Sequence, residues 1–465
     1  MAADTPVDVR SLVIYQVFPR NHGPSGTLRD VIADIDRIAA LGVDVLYLLP
    51  IHPIGVAGRK GSAGSPYAIR DYRRLNPDLG PEEDFDALVA TAHAAGLRVM
   101  IDVVANHTSP DNVLVAGHPE FYRRDAAGRP HSSVPAWSDV VDLDHPRADL
   151  TRYLIDSLAF WVRRGVDGFR CDVASLVPLE FWVQARAELA QIRPGLLWLA
   201  ETGHPGSVER RRAAGTPTPS DAEMYEAFDV EYPYDTWSIW QSVVRGHEPV
   251  GRYLEVLRWQ DGTLPANYAK VRFVENHDNY RIMAFAPTRA AALAWTALAA
   301  LARGPLLYYA GQESAARSWP SLFEPDPVRW GTYELSGYLS ALAALKKHPA
   351  MRRGELAILA DEPCVQLVWG RRGGGAVAPF ADSPALYAIV NVTGVGERIP
   401  VQLPDGDYAD LLGGGAVRVV DSQVRAPESA VVLEVRREFD VDPWRTPLLD
   451  VFLHVEKLGD RIDGE

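Results

Sequence analysis

Cysteine is almost absent from this 465-residue chain, where only Cys171 and Cys364 occur. They lie far apart and show no metal-ligand spacing, so a disulfide framework and a zinc site are both excluded and two buried thiols are expected. Long hydrophobic runs are missing too. No uncharged apolar segment reaches the roughly 20 residues that span a bilayer, and Met1 to Arg10 has no basic stretch followed by an apolar run. A cytoplasmic protein with no membrane partner is the expectation. Positive charge is also in deficit, with 47 Lys and Arg against 61 Asp and Glu, a formal net charge of -14. An acidic surface repels nucleic acid and anionic lipid but is indifferent to a neutral ligand. No low-complexity segment interrupts the chain, and no repeat is visible beyond a strand-helix unit.

What is there is a core-building composition, 47% hydrophobic and 23% charged, enough for one large domain and a smaller one. Short β-branched runs alternate with longer helical patterns, the signature of parallel strands joined by helices. Eight such strands can be placed: Val13 to Phe18, Val43 to Leu49, Leu97 to Val104, Val166 to Cys171, Leu196 to Ala200, Ala227 to Val230, Lys270 to Val274 and Pro305 to Tyr309. Gly96, after a helix from Glu82 to Ala95, has the place of a C-terminal cap. Eight units close most economically into a (β/α)8 TIM barrel, an α/β fold over residues 1-106 and 147-350. The polar excursion 107-146 is far too long for a simple loop and reads as a short inserted subdomain after strand 3. From 351 to 437 short alternating segments predict a C-terminal antiparallel β domain. The remaining tail, 438-465, has no assigned role.

In a barrel of this type reacting groups stand at the carboxyl ends of the strands. Here those ends read Asp102-Val103-Val104-Ala105-Asn106-His107, then Arg170 and Asp172 within Gly168-Phe169-Arg170-Cys171-Asp172, then Glu201, then Glu275-Asn276-His277-Asp278. On a strand Arg170 and Asp172 share one face, and a guanidinium beside a carboxylate favours its ionised form. Taken alone, such a pair is most simply a structural ion pair. With Glu201 behind an apolar run that would desolvate it, and Asp278 nearby, the set fits glycoside hydrolysis with retention. Trp137, Trp237, Trp240 and Trp319 are either core residues or platforms for outer sugars.

These four stretches, with Gly304 to Glu313 as an eighth strand, resemble the α-amylase family, glycoside hydrolase family 13. The resemblance implies that Asp172 is the nucleophile, Glu201 the general acid/base and Asp278 the stabiliser of the transition state. It further implies that His107, Arg170 and His277 contact the innermost sugar, supported by Asp102, and that Tyr67 stacks on it. No cofactor is implied for the chemistry. Many family members carry a lysine and a histidine where this chain has Ser175 and Leu176, a departure that points toward short α-glucosides or oligosaccharides and the α-glucosidase side of the family. The resemblance also raises a structural calcium held by Asn106 and Asp142, oxygen ligands of the type calcium prefers, although the histidine that assists such a site is replaced by Leu176. A transglycosidase, phosphorylase or isomerase shares the covalent intermediate and remains an open alternative. A noncatalytic carbohydrate-binding protein is the reading that three retained carboxylates oppose. Oligomeric state is left open.

Overall fold

The structure, a computed structural model, describes residues 5–441. The described residues form two compact units, one of residues 5–235, 265–285 and 299–346, the other of residues 236–264, 286–298 and 347–441.

The first unit is built on a parallel sheet. Its strands are Val13–Val17, Val45–Leu48, Arg98–Val104, Gly168–Asp172, Leu197–Ala200, Val230–Glu231 and Leu306–Tyr309. They are called here the first to sixth and the eighth strand. Every side chain in the short strands Val13–Val17, Val45–Leu48 and Leu306–Tyr309 is buried, as expected when helices or other residues cover both faces. The sheet runs from the sixth strand through the fifth, fourth, third, second and first to the eighth. Residues 269–272 close the ring between sixth and eighth. On one side the Glu231 amide donates to the Ala269 carbonyl at 3.0 Å and the Val271 amide to Glu231 at 2.8 Å. On the other the Arg272 amide donates to Pro305 at 2.7 Å and the Leu307 amide to Arg272 at 2.8 Å. The eight-stranded barrel is therefore present, its seventh member too short to register as a regular strand. Gly304 sits at this closure with φ +125°, and a Cβ there would lie 1.9 Å from the Lys270 carbonyl oxygen. Only glycine permits that approach. Gly168, which opens the fourth strand, is needed for a similar reason, since a Cβ would meet the Leu197 carbonyl of the fifth at 2.5 Å.

The helices between strands follow from sequence periodicity. Leu28–Ala40 buries Leu28, Val31, Ile35 and Ile38, one face of a helix. Ala148–Arg163 buries Leu150, Leu154, Ile155, Leu158, Trp161 and Val162. Residues 107–146 hold a two-residue antiparallel ladder, His107–Thr108 against Val141–Asp142, and the short helix Val113–Gly117.

In the second unit, Ala430–Val435, Ala385–Val390 and Val365–Gly373 pair in that order, antiparallel, and Glu355–Ala360 adds to Val365–Gly373. Tyr387, Ile389, Val368 and Leu433 lie at its centre. Phe439–Asp440, within the tail as read from sequence, pairs with Ala376–Ala378; residues 442–465 of that tail lie outside the described residues. Among the described residues no helix is long and apolar enough to cross a membrane.

Candidate active site

Parallel pairing in register sets the site. The third and fourth strands align Asp102 with Arg170 and Val104 with Asp172, so the polar groups of neighbouring strands arrive at the same level of the barrel. Arg170, with no exposed surface, is the hub. Its Nη1 donates to Asp102 Oδ1 at 2.9 Å and to Asp172 Oδ1 at 2.8 Å. Its Nη2 is ion-paired with Glu201 Oε2 at 2.9 Å. One guanidinium thus holds three carboxylates from three strand ends.

That sharing corrects the expectation that Arg170 keeps Asp172 low. Burial and the Glu201 carboxylate push Asp172 up, against the pull of Arg170. Asp102 is pushed up to about 6 by burial, although Arg170 and the Tyr47 hydroxyl favour its charged form. Asp278 is also raised by burial. Carboxylates crowded around one cation oppose one another's ionisation, so Asp102 and Asp172 titrate as one set rather than singly.

Each remaining oxygen has a defined environment. Asp172 Oδ1 is taken by Arg170, while Oδ2 has only His107 Nε2 near it, at 4.0 Å. Glu201 Oε2 accepts the Val173 amide at 2.8 Å as well as facing Arg170. Val173 makes that contact from the left-handed region, φ 37° and ψ 44°, a conformation that costs a β-branched residue about 1–3 kcal/mol and is typical of functional sites. The backbone turns sharply after Asp172 and thereby aims an amide at Glu201.

Tyr67 and His277 form the opposite wall. Their rings stack at 5.8 Å between centroids, and Tyr67 Oη lies 2.6 Å from His277 Nε2 and donates to Asp102 Oδ2 at 3.1 Å. Gln16, at the end of the first strand, accepts the His277 amide through Oε1 at 3.3 Å and presents Nε2 to His277 Nδ1 at 3.0 Å. An amide nitrogen can only donate, so Nδ1 is the acceptor and the ring proton resides on Nε2. From there it faces Asp278 Oδ2 at 3.1 Å. Burial pulls His277 down to about 3 and His107 to about 4, so both rings are neutral at ordinary pH.

The structure brings together Asp102, Arg170, Asp172, Glu201, Tyr67, His277 and Asp278, with His107 at the edge. Trp137 joins them through a 5.3 Å ring contact with His107. Trp240 is buried and stacks on Trp237 within the second unit, as core residues do. Glu275 is tied to Arg281 at 2.8 Å and to the Ile282 amide at 2.7 Å, a structural role. Sequence reasoning missed Gln16 and Tyr47, and it gave Val173 a bearing on linkage but no contact with Glu201. Gln16 carried a signal, a lone amide in the apolar run Val13 to Phe18; the amide contact of Val173 carried none.

Asn106 and Asp142 are neighbours, since the Leu143 amide donates to the Asn106 carbonyl at 2.9 Å. Asp142 Oδ1 is buried without a hydrogen-bond partner, the one feature that invites a cation. The other donors do not fit calcium, which takes six to eight oxygens. Asn106 directs its amide nitrogen to His107 Nδ1 at 3.1 Å, and no group of three or more His, Cys, Asp or Glu side chains suited to a metal occurs among the described residues. Prolonged dialysis against a chelator is therefore expected to leave both the melting temperature and the activity unchanged; a fall in either that calcium restores would establish a site here.

A barrel whose strand ends converge on Asp172, Glu201 and Asp278 around one arginine defines a carbohydrate-active enzyme of the α-amylase class. The family model for the α-amylase catalytic domain matches residues 13–122 and 136–330, and that for the bacterial α-amylase C-terminal domain matches 380–433. The chain belongs to the α-amylase family. It is similar to an α-amylase of Lactobacillus plantarum, 40% identical with a TM-score of 0.86, over 93% of this chain and 100% of that one. A maltogenic α-amylase of Thermotoga neapolitana is 30% identical with a TM-score of 0.79, over 94% of this chain and 100% of the other. A curated relative, the α-1,4-glucan:maltose-1-phosphate maltosyltransferase of Arcanobacterium haemolyticum, is 32% identical over 49% of this chain and 36% of its own length. The match thus spans little more than a third of that relative.

Proposed function

We propose that this protein is a retaining α-glycosidase of short α-linked gluco-oligosaccharides, acting through a covalent glycosyl-enzyme intermediate. The observation that carries the reading is the fork at Arg170: Asp172 on one nitrogen at 2.8 Å and Glu201 on the other at 2.9 Å. Carboxylates held on neighbouring nitrogens of one planar group suit the separation of about 5–5.5 Å used in retention, not the roughly 6.5–9.5 Å of inversion. Asp172 Oδ2, free of Arg170, attacks the anomeric carbon. The glycosidic C–O bond breaks, and Glu201 gives its proton, carried on Oε1 because Oε2 accepts the Val173 amide and faces the Arg170 charge, to the departing oxygen. Water or a sugar hydroxyl then loses a proton to Glu201 and attacks the same carbon, releasing Asp172. Asp278 faces the ring as positive charge develops on it, and neutral His277 keeps that carboxylate oriented. The short-substrate reading is supported by Ser175 and Leu176 in place of the lysine and histidine of polymer-acting relatives. Proton NMR of the first product is expected to show the α anomer; initial β anomer would refute retention.

Transfer to a sugar acceptor is the second reading, favoured by the maltosyltransferase names of the curated relatives. Chromatography of products from concentrated maltose separates the two, since a transferase makes longer oligosaccharides with little free glucose.

Asp102 supplies a pH test. Replacing it by Asn removes a negative neighbour that pushes Asp172 up, which leaves Arg170 to favour the ionised nucleophile more strongly. The nucleophile then keeps its charge to lower pH. The acidic limb of kcat/KM is expected to move to lower pH in Asp102→Asn, and an unmoved limb would remove Asp102 from the groups that act on Asp172.

A further inference from the structure

Two large aromatic side chains stand open to solvent beside the catalytic rim. Tyr280 is 41% exposed and Trp319 is 51% exposed. Their ring centroids are 4.2 Å apart with the planes inclined at 54°, and Tyr280 stacks in turn on Phe285 at 5.7 Å and 16°. They come from different loops. Tyr280 follows Asp278 by two residues after the seventh strand position, and Trp319 lies on the loop after the eighth strand. The far side of that loop is fastened, because Arg20 Nη2 donates to the Leu322 carbonyl at 2.8 Å and Asn21 Nδ2 to the Ser321 carbonyl at 3.2 Å. Neither the Tyr280 hydroxyl nor the Trp319 indole N–H has a hydrogen-bond partner among the described residues. Burial is the usual fate of rings this large, and a buried polar tip finds a partner. A fixed, exposed pair with free polar tips suits a ligand that offers both an apolar C–H face and hydroxyls at its edge. A pyranose ring offers both.

The ring of strands says which sugar this is. The general acid Glu201 must stand on the leaving-group side, and it follows the fifth strand. In the closed order the seventh position stands two places and the eighth strand three places round the ring from the fifth, so the pair lies away from Glu201 on the side of Asp278. We propose that Tyr280 and Trp319 form a stacking subsite for a second glucosyl ring on the non-reducing side of the cleaved bond, so that the enzyme transfers or releases disaccharide units rather than single glucoses. This rests on the reaction proposed above and fixes the length of its donor group.

The test compares wild type, Trp319→Ala and Trp319→Phe. Wild type is expected to release maltose first from maltotetraose. The ratio of kcat/KM for maltotetraose to that for 4-nitrophenyl α-glucoside, whose single sugar cannot reach the platform, should fall about tenfold or more in Trp319→Ala and largely recover in Trp319→Phe. Glucose as the first wild-type product, or a ratio unmoved by Trp319→Ala, would overturn the subsite. Titration calorimetry of maltotetraose against the full-length Glu201→Gln protein, with and without Trp319→Ala, judges the subsite apart from the chemistry. A dissociation constant raised about tenfold supports it and an equal one refutes it. Absence of any wild-type turnover would sink the proposed reaction while leaving that binding comparison to stand.

Discussion

Asp172→Asn is expected to lower kcat by at least about 10⁴-fold on every substrate, whatever the leaving group, because the covalent step has no other nucleophile. Asp172 Oδ1 is held by Arg170 at 2.8 Å while Oδ2 is clear of it, with His107 Nε2 at 4.0 Å, and Asn offers a neutral amide in place of that carboxylate. Glu201→Gln should behave differently. Loss of a general acid costs about 10²–10⁴-fold where the leaving oxygen needs a proton, but little in the first step with an activated aryl leaving group, which departs as an anion. The return step then lacks its base, so a small external nucleophile such as azide should restore turnover of an aryl α-glucoside in Glu201→Gln and yield a glycosyl azide. Asp172→Asn has no covalent intermediate to intercept and can give at most the inverted β-glycosyl azide, whereas Glu201→Gln should give the retained α azide. Steady-state and pre-steady-state rates with oligosaccharide and aryl substrates check both variants; an α azide from Asp172→Asn, or a β azide from Glu201→Gln, would exchange the assigned roles. Absence of turnover in the wild type, with oligosaccharide binding unchanged by Asp172→Asn, would return the barrel to a binding protein.

The second large effect is on stability. Lys270 is completely buried at the closure of the barrel and faces three carboxylates. Its Nζ donates to Asp221, to Glu231 Oε2 at 2.9 Å and to the Tyr232 carbonyl at 3.3 Å, and lies 3.5 Å from Asp235 Oδ1. Burial alone would expel the charge, but Glu231, Asp221 and Asp235 hold the ammonium above its ordinary range. Burial pushes Glu231 up against the pull of Lys270. Removing one partner of a buried pair leaves an uncompensated charge, at a cost of about 3–5 kcal/mol, within a total stability of about 5–15 kcal/mol. Lys270→Met is therefore expected to lose most of its stability or to fail to fold at 37 °C. Glu231→Gln keeps the cation matched by Asp221 and Asp235 and should be milder. Denaturant midpoints of the two variants decide the matter, and a Lys270→Met protein as stable as wild type would show that the carboxylates take up protons without cost.

The barrel was legible because its signals are local. Runs such as Val13 to Phe18 and Leu196 to Ala200 differ in period from the helices between them, and these strands were placed to within a residue or two. The seventh position was less faithful: the β-branched residues of Lys270 to Val274 predict a full strand, yet only residues 269–272 pair across the closure. Neighbours on both sides dictate that length, and periodicity does not carry it. Short strands Cys364 to Trp369 and Ala385 to Val392 were likewise readable, because alternation marks them.

By itself the sequence determined the fold class, the acidic surface and the identity of the polar groups at the strand ends, since each depends on residue type and on neighbours a few positions away. Only the tertiary structure decided what those groups do to one another. Asp102, Asp172 and Glu201 are separated by 70 and 29 residues in the chain, yet register between parallel strands places them on one guanidinium. From that follows the upward push on Asp172. The same holds for Gln16, which fixes the proton of His277 across 261 residues, and for Tyr280 and Trp319, which meet only because two loops come together. Charge and hydrogen bonding act through space, over a few ångströms, and chain order carries no measure of that distance.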